Sequence, residues 1–97
     1  MANRRQQQAL LSLLRDRRVK AGLRQVDMAR ALGKPQAFVC YYESGARRLD
    51  LLELRQICGI LGVPLLDFVQ EFEKRISQPS RHRRNRTRES RKQRPSL

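Results

Sequence analysis

The chain has 97 residues, with 22 Lys and Arg against 9 Asp and Glu, which gives a net charge of +13. That length allows one domain, and a hydrophobic fraction of 39% with no Trp leaves a core of mostly Leu, Val, Ile and Ala. Cys40 and Cys58 have no CxxC spacing, which excludes a disulfide framework and a zinc site, and the short apolar run from Ala9 to Leu14, broken by Ser12, is neither a signal peptide nor a membrane span.

The elements follow in chain order. Over 6–19 the apolar positions Ala9, Leu10, Leu11, Leu13, Leu14 and Val19 include the i, i+4 pair Leu10 and Leu14, with Arg15, Asp16, Arg17 and Arg18 on the wet side. This pattern predicts an amphipathic first helix that stops at Gly22. A second helix is expected over 25–32, with Val26 and Ala29 inward, Leu32 off to the side and Gly33 at its end. Pro35 suits the first turn of a third helix over 35–44, because its missing N–H has no helical partner there; Gly45 ends it. Asp50 followed by Glu53 forms a near capping box for a fourth helix. The stripe Leu51, Leu54, Ile57, Cys58 and Leu61 follows at helical spacing, and Gly62 stops it. Pro64 opens a fifth helix, whose apolar face is Leu65, Phe68, Val69, Phe72 and Ile76. No segment alternates long enough to read as a strand.

Charge divides the chain unevenly. Residues 1–48 carry eleven Lys or Arg against three acids, residues 49–77 three against five, and residues 78–97 eight against one. The expected organisation is a helical domain over 1–77 and an Arg-rich tail over 78–97. The tail has a single apolar residue, Leu97, and so is expected to be disordered, having too little apolar surface to offset the entropy of ordering. A basic chain of this kind suits a polyanion, since Lys and Arg contacts to phosphate release condensed counterions.

The short helix, glycine turn and second short helix over 22–45 then specify how. In a helix-turn-helix the second helix enters the major groove with its N-terminal residues on base edges. Its inward face should be Phe38 or Val39 together with Tyr42, which leaves Gln36, Ala37, Cys40 and Tyr41 for the bases. A Gln amide pairs with adenine N6 and N7, and an Ala methyl touches a thymine methyl. Lys34, Arg47 and Arg48 flank the helix and are the candidate phosphate contacts, with Arg15, Arg17, Arg18 and Arg24 as further ones of less defined geometry. Gln25 opens the preceding helix and should point its side chain and its backbone N–H at a phosphate, since the dipole favours an anion there.

Over 14–69 the sequence resembles the Cro/repressor-type (Xre-like) helix-turn-helix family. The resemblance rests on Gly22-Leu23-x-Gln25, Met28-Ala29, Leu32-Gly33, Pro35-Gln36-x-Phe38-Val39, Tyr42-Glu43-x-Gly45, Arg47-Arg48-Leu49-Asp50 and Leu61-Gly62-Val63. It implies an all-α, five-helix repressor-like domain, DNA binding by the third helix, frequent homodimers on inverted repeats, repression of transcription, and cooperation between Gln25 and Gln36. The chain also departs from the family. Where a Ser or Thr cap usually precedes the helix-2 Gln stands Arg24, a loss of about 1 kcal/mol of helix stability. Where relatives read Pro-Gln-Ser-Phe-Val-Ser-Lys-Tyr-Glu, this chain has Ala37, Cys40 and Tyr41, so its groove face carries fewer hydrogen-bonding groups.

Nothing in the sequence points to catalysis. There is no nucleophile–base pair, carboxylate dyad, phosphate loop or metal cluster, and His82 stands alone in the tail. Neither enzyme activity nor a cofactor or metal is expected. Cys58 reads as a buried filler and Cys40 as an exposed thiol. Leu66, Val69 and Phe72 on the fifth helix are the candidate homodimer surface. The overall expectation is a cytoplasmic, nucleoid-associated regulator of transcription, a repressor that binds double-stranded DNA, with no membrane role. Two alternatives stay open: an antitoxin or adaptor that binds a protein partner, and a nucleic-acid-binding protein without sequence preference.

Overall fold

The computed structural model describes residues 4–77; the tail over 78–97, and the disorder expected of it, lies outside the described residues. Five helices follow in order: α1 (Arg4–Lys20), α2 (Gln25–Leu32), α3 (Gln36–Ser44), α4 (Leu51–Leu61) and α5 (Leu65–Ser77). Among the described residues there is no strand.

Punctuation in the sequence sets the boundaries. Gly22, Gly33, Gly45 and Gly62 all have positive φ, the left-handed conformation that closes a helix and satisfies its last carbonyls. Asp50 caps α4: its carboxylate accepts from the Glu53 N–H at 2.7 Å, and Glu53 accepts from the Asp50 N–H at 2.9 Å. Pro35 is the N-cap of α3 rather than its first helical residue (φ −65°, ψ 155°). The carbonyl of Pro35 nevertheless accepts from the Phe38 N–H at 3.0 Å.

The core draws on all five helices and is mainly aliphatic. It contains Leu13, Leu14, Met28, Ala29, Val39, Tyr42, Ile57, Cys58, Val63 and Phe68, with Leu10, Leu23, Leu54, Leu61 and Phe72 packed half-buried around it. Helix α2 lies on α3 and α4, while α1 lies on α3 and α5. Helix α3 is therefore held between α1 and α2.

Three core expectations change. On α2, Met28 is fully buried while Val26 is only half-buried, because the arc facing α3 and α4 is centred on Met28 and Ala29. On α4, Leu51 is 64% exposed and Leu52 76%; the stripe starts only at Leu54, since the first turn projects beyond the neighbouring helices. On α1, Arg17 and Arg18 are half-buried rather than wet. Arg17 donates from Nε to Glu71 of α5 at 2.9 Å. Arg75 of α5 returns the tie to Asp16 at 3.0 Å and to Ser12 at 3.1 Å.

Candidate nucleic-acid interface

The interface starts from the two sides of α3. Val39 and Tyr42 are buried against the core, and Phe38 is half-buried, its ring 5.6 Å from that of Tyr42 in an edge-on arrangement. That anchoring leaves Gln36, Ala37, Cys40 and Tyr41 exposed together. Gln36 and Ala37 occupy the first turn, where helix N–H groups lack helical partners, and Cys40 and Tyr41 follow one turn later on the same side. Tyr41 is 53% exposed despite its size.

Two cations bracket the start of this helix. Lys34 Nζ lies 5.6 Å from the centre of the Phe38 ring and the Arg47 guanidinium 4.7 Å, distances at which a cation is attracted to the ring face. Arg47 also donates to Glu53 through both terminal nitrogens, at 3.1 and 2.8 Å. This bond is the main influence that holds the Glu53 carboxyl below its usual range, helped by the N–H of Asp50. Arg48, beside it, is exposed.

A family described as helix-turn-helix matches residues 14–68, more than half of the chain. A solved structure described as an XRE-family like protein from Pseudomonas syringae pv. tomato str. DC3000 is 36% identical; the match covers 75% of this chain and 88% of that one, with a TM-score of 0.69. The chain belongs to the XRE-type helix-turn-helix family. The clp gene regulator ClgR from C. glutamicum shares the fold, with 22% identity over 74% of this chain and 92% of that one and a TM-score of 0.65. No curated protein matches. As an XRE-type protein the chain is a DNA-binding transcription regulator, of a class typically without catalytic activity. No helix among the described residues is long and apolar enough to cross a membrane.

In this XRE-type frame the candidate phosphate contacts fall into two groups. Lys34, Arg24, Arg47 and Arg48 are exposed. Arg18, expected among the phosphate contacts, is turned inward instead. Its Nε donates to Glu43 at 2.6 Å, Nη2 to the same carboxylate at 3.2 Å, and Nη1 to the Leu23 carbonyl at 2.8 Å. Only 11% of the Arg18 side chain and 6% of the Glu43 side chain are exposed. Gln25 joins the same cluster, its amide donating to Glu43 at 3.1 Å. One carboxylate thus links α1, the start of α2 and the end of α3. Sequence reasoning gave Glu43 no role, although a signal was available: Glu43 lies four residues after buried Val39, so its carboxylate falls on the buried flank and needs a cation.

Asp27 was missed as well. Arg24 precedes α2 and has no acceptor to offer as a cap. Asp27 supplies the reverse half of the box, accepting from the Arg24 N–H at 2.9 Å and from its guanidinium at 3.0 Å. Those bonds, the side-chain one first, pull the Asp27 carboxyl down to about 2. Of the two thiols, Cys40 is exposed and Cys58 buried. Burial pushes Cys58 up to about 11, against a smaller opposing pull from Arg17, so it stays a neutral thiol at pH 7. On α5, Leu66 is 69% exposed, whereas Phe72 packs in part against the core and Val69 is half-buried.

Proposed function

We propose that the protein is a sequence-specific repressor that lays α3 in the major groove and occludes a promoter. The observation that carries this reading is the joint exposure of Gln36, Ala37, Cys40 and Tyr41 on one side of a helix anchored by Val39 and Tyr42. In this reading Gln36 pairs with an adenine, Ala37 meets a thymine methyl, and Cys40 and Tyr41 reach further edges or the sugar-phosphate. Lys34, Arg48 and Arg24 hold backbone phosphates, and Arg47 does so where a phosphate displaces Glu53 from its guanidinium. Gln25 contacts a phosphate through the start of α2, its amide NH2 being engaged by Glu43, and Arg18 acts indirectly by fixing Glu43. The solved relative named as a clp gene regulator supports a regulatory role for this fold.

The proposed assembly is a homodimer through α5. Exposed Leu66 lies at its centre, joined by the outer edges of Val69 and Phe72. Two-fold symmetry then predicts an inverted repeat with half-sites about 34 Å apart. Selection from randomised duplexes with the full-length protein at near-physiological salt tests both statements. Enrichment of an inverted repeat supports them; tight, salt-sensitive binding to every duplex without enrichment contradicts sequence-specific repression. A solution mass that stays monomeric at micromolar concentration contradicts the dimer.

A further inference from the structure

The geometry points to Glu53 as a built-in brake on DNA affinity: it occupies the guanidinium fork of Arg47 that a DNA phosphate would otherwise take. This inference rests on the DNA-binding reading above and adds a residue outside the groove face to it.

Arg47 meets Glu53 end-on, with Nη1 to Oε1 at 3.1 Å and Nη2 to Oε2 at 2.8 Å. A bidentate carboxylate uses the same paired N–H groups that recognise phosphate, so the two anions compete for one site. Glu53 cannot easily swing aside, because its carboxylate also accepts from the Asp50 N–H at 2.9 Å as part of the α4 cap. Lys34, the other cation beside Phe38, lies near enough to act on the same carboxylate. Glu53 therefore partly neutralises both charges that flank the start of the reading helix. Arg47 does not depend on Glu53 for its position: it lies 4.7 Å from the Phe38 ring centre and donates to the Arg48 carbonyl at 2.9 Å. The consequence is uniform across sequences. Sequence-independent attraction in a chain of net charge +13 is reduced on every duplex, while the exposed face of Gln36, Ala37, Cys40 and Tyr41 is untouched, so base contacts supply a larger share of the binding energy.

Glu53→Gln tests this, because an amide oxygen can still accept the capping bond while the charge is removed. Binding of full-length wild type, Glu53→Gln, Arg47→Ala and the double variant to a 20-base-pair duplex of arbitrary sequence is measured across a salt series, with melting temperatures recorded alongside. Glu53→Gln is expected to bind about two- to fivefold more tightly at low salt and to steepen the salt slope by about 0.9, one further phosphate contact. Most of that gain should vanish when Arg47 is already Ala. Affinity and slope equal to or below wild type in Glu53→Gln overturn the proposal. A gain that persists in full without Arg47 also overturns it, since it would be a general effect of net charge. Wild type failing to bind any duplex overturns the DNA-binding reading and this proposal with it.

Discussion

Glu43 shows how much one carboxylate organises at this interface. It accepts from Arg18 on α1 and Gln25 on α2 while belonging to α3. The pair with Arg18 is nearly enclosed, so removing either partner leaves an uncompensated charge in a poor dielectric. Arg18→Ala should therefore lower unfolding stability by about 3 kcal/mol, as read by urea denaturation. A loss near zero, with weakened DNA binding instead, would return Arg18 to the phosphate contacts. Asp27 acts through pH. Its folded value of about 2 lies below the ordinary carboxylate value of about 4. Its contribution is thus present above pH 4 and lost as pH falls through 2. The melting temperature should fall over that window, and Asp27→Asn should flatten the fall; an identical acid profile for the variant would show that the Arg24–Asp27 pair does not stabilise the fold.

At the scale of elements, the features legible in sequence were those fixed locally. The glycines at 22, 33, 45 and 62 stop helices because only glycine takes positive φ without strain, and Asp50 with Glu53 marks a start by its own hydrogen bonds. What escaped depends on neighbours. Whether Val26 or Met28 faces inward is set by the angle at which α2 meets α3 and α4, and an eight-residue helix has too few turns for its pattern to decide. Leu51 fits the helical spacing of the α4 stripe yet is exposed, because no helix reaches the first turn. The bonds of Arg18 and Arg47 to Glu43 and Glu53 join residues 25 and 6 positions apart, and charge counting sees only their sum. Two substitutions test the local devices. Asp50→Ala should cost about 1 kcal/mol through the lost cap. Gly33→Ala should cost about 1–2 kcal/mol from the backbone alone, since an added Cβ at that position would meet nothing within 4 Å. Denaturant midpoints unchanged from wild type would show that these ends do not limit stability.

Across the whole molecule, the bundle leaves one side of the short helix α3 exposed, with Lys34 and Arg47 beside Phe38 near its start. The exposed side of α3 was legible because Val39 and Tyr42 mark the inner side and leave Gln36, Ala37, Cys40 and Tyr41 outward by helical geometry. The setting of the surrounding charges was not, because three of the basic residues near it are paired with acids from other turns or helices. In the proposed function α3 reads base edges. That reading is tested most directly by comparing wild type and Gln36→Ala for binding to a duplex selected by the wild-type protein and to a scrambled duplex of the same composition. Loss of a bidentate adenine contact should weaken binding to the selected duplex by about 5- to 150-fold, about 1–3 kcal/mol, and leave the scrambled duplex unchanged. Equal affinity of the two proteins for both duplexes, or a matching loss on both, would contradict the claim that Gln36 reads sequence.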